Sequence, residues 1–212
     1  MKKIDVILFD MDGVLIDARE LHYEALNDAL VLFGLKIGHD EHQTSFDGLS
    51  TRQKLSKLSQ DDRLPLRLHF LINALKQKFT LEKIPKFALP VFHHRYLLGR
   101  LLLDGYRLGV CSNSVRKSVN LMLESAKIDS YFELTLSNED VRLPKPNPDI
   151  YLEAARRMKV QPERCLVVED NPIGIKAASD AGMHFIKVAD PSEVTYDRVA
   201  SALQTISVRS RP

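Results

Sequence analysis

Short apolar or β-branched runs punctuate the chain, each ending in polar residues and giving way to a helical pattern. The runs cover Ile4 to Phe9, Arg107 to Cys111, Glu133 to Leu136, Cys165 to Val168 and His184 to Val188. They read as strands buried on both faces. Between them apolar residues recur with a period near 3.6. One such helix holds Val115, Val119, Met122, Leu123 and Ala126 behind Ser114 as N-cap. A second holds Ile150, Tyr151, Ala154, Ala155 and Met158 behind Asn147, with Pro148 at the first helical position; a third runs from Pro172 to Ala181 and stops at Gly182. Strand alternating with helix predicts an α/β fold on a parallel sheet, in which ligands bind beyond the carboxyl ends of the strands. Chemistry is therefore sought in the residues directly after each run.

One stretch breaks the alternation. From about Ala18 to Ile84 only helical periodicity is found: Leu21, Ala25, Leu26, Ala29, Leu30 and Phe33, then Leu55 and Leu58, then Leu68, Leu71, Ile72, Leu75 and Phe79. The simplest topology is a helical module inserted after the first strand, with the chain returning to the sheet near Pro85 to Pro90; the alternative is a helical face of the same domain.

Composition narrows the class. The 212 residues are 44% hydrophobic and 27% charged, as in an ordinary globular protein, and the length is well past the roughly 40 residues below which a fold needs disulfides or metals. Lys+Arg number 30 against Asp+Glu 28, with the signs mixed. That argues against the clustered basic surface needed for nucleic acid or an anionic membrane. Lys2 and Lys3 precede the apolar Val6-Ile7-Leu8-Phe9, but Asp5 and Asp10 bracket it, so no signal peptide is read. No run approaches the about 20 apolar residues of a membrane span. The expected location is cytoplasmic, and Cys111 and Cys165 read as reduced, buried thiols.

Four clusters stand at the ends of runs or beside them. Phe9-Asp10-Met11-Asp12-Gly13-Val14-Leu15 sets two carboxylates two residues apart where a strand stops, and Gly13 lets the backbone turn sharply. An Asp-x-Asp pair alone often only caps a turn. Cys111-Ser112-Asn113-Ser114 opens a helix and offers hydroxyl and N–H groups to an anion, Ser114 being read as the helix cap. Leu143-Pro144-Lys145-Pro146-Asn147-Pro148 stiffens the backbone around one lysine, which taken alone is a solvated loop residue. Val168-Glu169-Asp170-Asn171-Pro172 is a second pair of acids after a buried strand. Brought together, these supply a phosphoryl-transfer site. Several carboxylates in one pocket repel each other unless a cation such as Mg²⁺ neutralises them, and an Asp carboxylate can serve as nucleophile with a second acid moving protons.

Those residues carry a family resemblance over essentially the whole chain. Asp10-Met11-Asp12-Gly13-Val14-Leu15, Ser112-Asn113-Ser114, Lys145-Pro146-Asn147-Pro148, and Glu169-Asp170-Asn171 with Gly174, Ala177, Ala178, Ala181, Gly182 and Met183 follow in the order of the four haloacid dehalogenase (HAD) superfamily motifs. The chain resembles a HAD phosphohydrolase with a helical cap, of the β-phosphoglucomutase and phosphoglycolate phosphatase-like subgroup. The resemblance implies a Rossmann-like doubly wound parallel sheet core, residues 1–16 and 85–212, with an inserted helical cap, residues 17–84. It implies Asp10 as nucleophile and Asp12 as general acid/base. Ser112, Lys145 and the backbone N–H groups of Met11, Asp12 and Asn113 would hold the phosphoryl group. Mg²⁺ would be held by Asp10, the Asp12 carbonyl and Asp170, with Glu169 as ligand or as an acceptor behind the ligands.

In this family the cap selects the substrate. Glu20-Leu21-His22-Tyr23 resembles the cap entry of β-phosphoglucomutase-like members, so His22 is a candidate contact for the substrate or for Asp12. Gly48-Leu49-Ser50-Thr51-Arg52 resembles a substrate-facing loop in which Arg52 binds a distal phosphate or carboxylate. Lys76 and Lys78 are further candidates. His93-His94 has no acidic or cysteine partner at metal-ligand spacing and reads as a surface helical position. Leu89-Pro90-Val91-Phe92 lacks the glycine relatives carry after the proline, and Asp61-Asp62-Arg63-Leu64-Pro65 interrupts the cap helices. The expected function is Mg²⁺-dependent hydrolysis of a small phosphorylated metabolite, a sugar phosphate or similar, through an aspartyl-phosphate, by a monomer or weak dimer. A hexose-phosphate mutase and a non-catalytic phosphate-binding regulatory domain are the alternatives.

Overall fold

The computed structural model describes residues 4–46 and 49–208; Lys2, Lys3 and Gly48, named above, lie outside them. The strands are β1 (Val6–Phe9), β2 (Arg107–Cys111), β3 (Leu134–Leu136), β4 (Cys165–Glu169) and β5 (His184–Lys187). The α-helices are α1 (Arg19–Val31), α2 (His39–Glu41), α3 (Thr51–Gln60), α4 (His69–Phe87), α5 (Phe92–Leu103), α6 (Arg116–Ser125), α7 (Asp149–Arg157), α8 (Pro172–Asp180) and α9 (Tyr196–Val208). The chain divides into two compact units, one formed by residues up to Asp17 with those from Ala88 onward, the other by Ala18–Phe87.

The first unit is α/β. Its parallel strands lie in the order β3-β2-β1-β4-β5 among the described residues. The wholly apolar β1 takes the centre and is buried along its length. Its alternate residues Val6 and Leu8 pack with Cys165 and Val167 of β4 and with Tyr151, Ala154, Ala177 and Ala178 of α7 and α8. Period-two alternation sends Ile7 and Phe9 to the opposite face, where α5 and α9 pack on each other and on β2 and β5. Helices on both faces make the core Rossmann-like and doubly wound. The edge strands correct the expectation of burial on both faces: β5 alternates half-buried and exposed positions, and Leu134 and Thr135 of β3 are only half-buried, because each strand has a single neighbour.

Two local expectations also change. Ser114 is not the N-cap of α6; Val115 holds that position, and the Arg116 N–H is satisfied by Glu139 Oε1 at 3.1 Å. His94 is buried rather than on the surface, 2% exposed. Its Nε2 donates to the Pro191 carbonyl at 2.9 Å, and His93 Nε2 donates to the same oxygen at 3.1 Å, because α5 starts beside the turn that follows β5. A carbonyl only accepts, so both rings carry a proton on Nε2.

The second unit is helical. Leu26, Ala29 and Leu30 of α1, Leu55 and Leu58 of α3 and Ile72 of α4 close around Ile37, Phe46 and Leu64. Asn27 pins the connection after α1 by accepting from the Ile37 N–H at 2.8 Å and donating to its carbonyl at 3.1 Å. Ser50 caps α3 in a reciprocal pair with Gln53. The polar stretch after Gln60 forms the expected interruption before α4. That helix runs on through Pro85 to Phe87, so the unit closes at Phe87 rather than at residue 84; the proline lies in the last turn, and the helix ends two residues after it. No helix among the described residues is long and apolar enough to cross a membrane.

Candidate active site

The register of the sheet brings the strand-end clusters to one height. Phe9 pairs with Val110 on one side and with Val168 on the other, so Asp10, Cys111 and Glu169 reach the carboxyl edge level with one another. The Asp10 N–H extends the ladder to the Val168 carbonyl at 3.0 Å. This is the switch point of the topology, since β2 and β3 lie to one side of β1 and β4 and β5 to the other.

Beyond β1 the chain turns at once. The Met11 carbonyl accepts from the Leu15 and Ile16 N–H groups, each at 3.0 Å, and the Gly13 N–H donates to the Ile16 carbonyl at 2.7 Å. Gly13 has φ +85, and a Cβ there would overlap the Asp170 carboxylate. Glycine thus serves both the left-handed turn and the close approach of Asp170.

The loop after β2 holds three neighbours. Ser112 is buried, donates its N–H to the Leu136 carbonyl at 3.0 Å and accepts the Ser114 N–H on Oγ at 3.0 Å. The Asn113 side chain grips the backbone of Lys145 from both sides, accepting its N–H at 3.0 Å and donating to its carbonyl at 3.1 Å. The Ser114 hydroxyl donates to Asp12 Oδ2 at 2.7 Å.

Lys145 is the hub of charge. Its Nζ lies 2.7 Å from Asp10 Oδ1 and 2.6 Å from Glu169 Oε1, with all three side chains nearly inaccessible. Glu169 Oε1 also accepts the Tyr151 hydroxyl at 2.9 Å, while Oε2 accepts the Asp170 N–H at 3.2 Å. Asn171 accepts from the Ile173 and Gly174 N–H groups at 3.0 Å, capping α8, and donates to Asp170 Oδ1 at 2.9 Å. A Cβ at Gly174 would overlap the Glu169 carboxylate, so the glycine admits the acid beneath the helix start.

Burial, then the Glu169 carboxylate, push the Asp10 carboxyl well above the usual range, against Lys145. Burial acts to lower Lys145, but Asp10, Tyr151 and Glu169 outweigh it and raise the ammonium well above its ordinary value. Asp170 is raised, chiefly by burial. Burial also raises both free thiols, Cys165 to about 12. One carboxylate oxygen from each of Asp10, Glu169 and Asp170 lies within 4.8 Å of the others. Three acids against one ammonium leave excess negative charge in a dry place, and an all-oxygen set of that kind suits a hard divalent cation.

The α/β unit thus gathers Asp10, Met11, Asp12, Ser112, Asn113, Lys145, Glu169 and Asp170 at one sheet edge. His22 and Arg52 belong to the helical unit: His22 Nδ1 lies 3.3 Å from Lys76 Nζ, and Arg52 is exposed in the first turn of α3. Two residues at the edge take parts that the sequence does not assign them. Tyr151 reads there as one more apolar position of α7, although a buried tyrosine hydroxyl demands a partner. Ser114 reads as a cap because its spacing fits one.

A family model described as haloacid dehalogenase-like hydrolase matches residues 7–188. A phosphoglycolate phosphatase of Aquifex aeolicus is 29% identical over 182 residues, 84% of this chain and 81% of that protein. A phosphorylated carbohydrates phosphatase of Thermotoga maritima is 26% identical over 186 residues, 86% of this chain and 84% of that one. The crystal structure of CbbY from Rhodobacter sphaeroides in complex with phosphate is similar at a TM-score of 0.75 and 25% identity, covering 87% of this chain and 85% of that chain. The family match runs through all four strand-end clusters: the chain belongs to the haloacid dehalogenase-like hydrolases.

Proposed function

We propose that the chain is a Mg²⁺-dependent phosphatase that hydrolyses a small phosphomonoester, a sugar phosphate or similar, through a phosphorylated Asp10. The observation that carries this reading is the lysine between two acids: Lys145 Nζ at 2.7 Å from Asp10 Oδ1 and 2.6 Å from Glu169 Oε1. Such an ammonium aims the Asp10 carboxylate and offers positive charge where a phosphoryl group gathers negative charge. The phosphatase names of the Aquifex and Thermotoga relatives and the phosphate bound to CbbY support the same substrate class.

In the first step an Asp10 oxygen attacks phosphorus, the ester P–O bond breaks, and Asp12 gives its proton to the departing alkoxide. In the second, water attacks the phosphoaspartyl phosphorus, Asp12 takes the water's proton, and inorganic phosphate leaves with the Asp10 carboxylate restored. The Ser112 hydroxyl, Lys145 and the N–H groups of Met11, Asp12 and Asn113 hold the phosphoryl oxygens through both steps. Asp10, Asp170 and the Asp12 carbonyl, with Glu169 behind them, would hold Mg²⁺, which would supply charge neutralisation for the phosphoryl oxygens. Glu169 suits the rear position because its oxygens already serve Lys145, Tyr151 and the Asp170 N–H. His22 is proposed to contact the substrate and Arg52 a distal phosphate or carboxylate on it, so their alanine variants raise KM more than they lower kcat.

The test is phosphate release from a panel of phosphorylated sugars, nucleotides and glycolate-type acids, with Mg²⁺ and with chelator. Release that needs Mg²⁺ and vanishes in Asp10→Asn is expected. Full activity in that variant, or conversion of β-glucose 1-phosphate to an isomer without free phosphate, would overturn the reading.

A further inference from the structure

We propose that Ser114 is a positioning residue for Asp12, fixing the orientation in which its carboxyl meets the leaving group; the proposal rests on the phosphatase reading above. The Ser114 hydroxyl donates to Asp12 Oδ2 at 2.7 Å across 102 residues of sequence. It is not spent on the job its spacing suggests, because α6 has no side-chain cap and the Arg116 N–H goes to Glu139 Oε1 at 3.1 Å. The backbone of Ser114 is held at both ends: its N–H donates to Ser112 Oγ at 3.0 Å, and its carbonyl accepts the Asn138 N–H at 3.2 Å. A hydroxyl on a backbone fixed in this way is a donor of set direction. Its bond to Oδ2 limits rotation of the Asp12 carboxyl and holds it in one orientation. Asp12 keeps that orientation as it gives its proton to the alkoxide oxygen while the ester P–O bond breaks, with Oδ2 still accepting from Ser114. The same bond ties the proton donor to Ser112, the hydroxyl proposed to hold the phosphoryl group, so the two are placed by one loop.

The experiment compares kcat/KM, which reports steps through transfer of the phosphoryl group to Asp10, for an alkyl phosphate and for p-nitrophenyl phosphate. The alkoxide of the first needs a proton to leave; the nitrophenolate of the second does not. Ser114→Val removes the hydroxyl at nearly the volume of Ser114→Thr, which keeps it. Expected is a loss of about tenfold on the alkyl ester with Ser114→Val, a change within about twofold on the nitrophenyl ester, and recovery with Ser114→Thr. Adding Ser114→Val to Asp12→Asn should cost nothing more on the alkyl ester. Equal losses on both esters, or additive losses in the double variant, overturn the positioning role while leaving the phosphatase reading intact. If Ser114→Val does not fold, Ser114→Ala, which only removes atoms, is read against the same two outcomes. No turnover of any ester by the unaltered chain overturns the phosphatase reading and this proposal with it.

Discussion

The Tyr151 hydroxyl donates to Glu169 Oε1 at 2.9 Å, onto the same oxygen that Lys145 Nζ reaches at 2.6 Å. The acid is wholly buried. Removing one of its donors leaves a carboxylate that water cannot reach, and a hydrogen bond to a charged group contributes about 1.5–3 kcal/mol. Tyr151→Phe should lose about that much in urea unfolding, with the slope unchanged. A midpoint equal to that of the unaltered protein would show the hydroxyl to be idle.

Gly174→Ala should be more damaging than its size suggests. The added Cβ overlaps both Glu169 oxygens, and the acid is fixed by Lys145 and Tyr151 and cannot retreat. A cost of at least about 2 kcal/mol is expected from overpacking, whereas Gly38→Ala, where nothing lies within 4 Å, should cost less than about 1 kcal/mol. Calorimetric melts of the two variants make the comparison.

His94 makes stability depend on mild acid. Burial, then the neighbouring His93, lower its pKa from the ordinary 6.5, against the Pro191 carbonyl. The unfolded chain therefore takes up a proton near pH 6.5 that the folded chain refuses. More protons on the unfolded side means that stability is full above that pH and falls as the pH drops toward the folded value. Urea midpoints measured from pH 8 to pH 5.5 should decline less steeply in His94→Gln than in the unaltered protein.

Asp140 acts at the opposite end of the scale. Burial would raise its carboxyl, but the Ser137 N–H and hydroxyl and the Arg116 guanidinium hold it down to about 2. Its contribution is present above the ordinary 3.8 and is lost as the pH falls through about 2. Asp140→Asn should cost about 1–2 kcal/mol at neutral pH and flatten the acid limb of stability between pH 4 and pH 2. An acid limb of unchanged steepness in that variant would remove Asp140 from the account.

The strands were legible because burial leaves no freedom: β1, β2 and β4 are apolar wherever a neighbour lies on both sides, and their run ends fall within two residues of the observed ones. The edges were less so, since half of β5 faces outward. The acids could be singled out because charge directly after a buried strand is unusual enough to need a reason, and Lys145 because prolines flank it. Ser114 and His94 could not. Whether a serine before a helix caps it, or a histidine on a helix is buried, depends on which distant carboxylate or carbonyl the fold brings within reach. For these residues the partners stand 102 and 97 positions away. Tyr151 fits an apolar stripe equally well as phenylalanine would, so periodicity alone says nothing of its hydroxyl.

The central place of β1 has a consequence for how the protein comes into being. Asp10 leaves the ribosome 135 residues ahead of the ammonium that balances it. Chains fold from the amino end as they emerge, and an acid at the end of an apolar strand resists burial until its counter-charge arrives. The nascent strand must therefore wait in water for Lys145 and then β4. Completing the sheet and gathering its edge charges become one event, and a chain cut short before residue 165 carries Asp10 but has neither a closed core nor the Glu169 and Asp170 carboxylates.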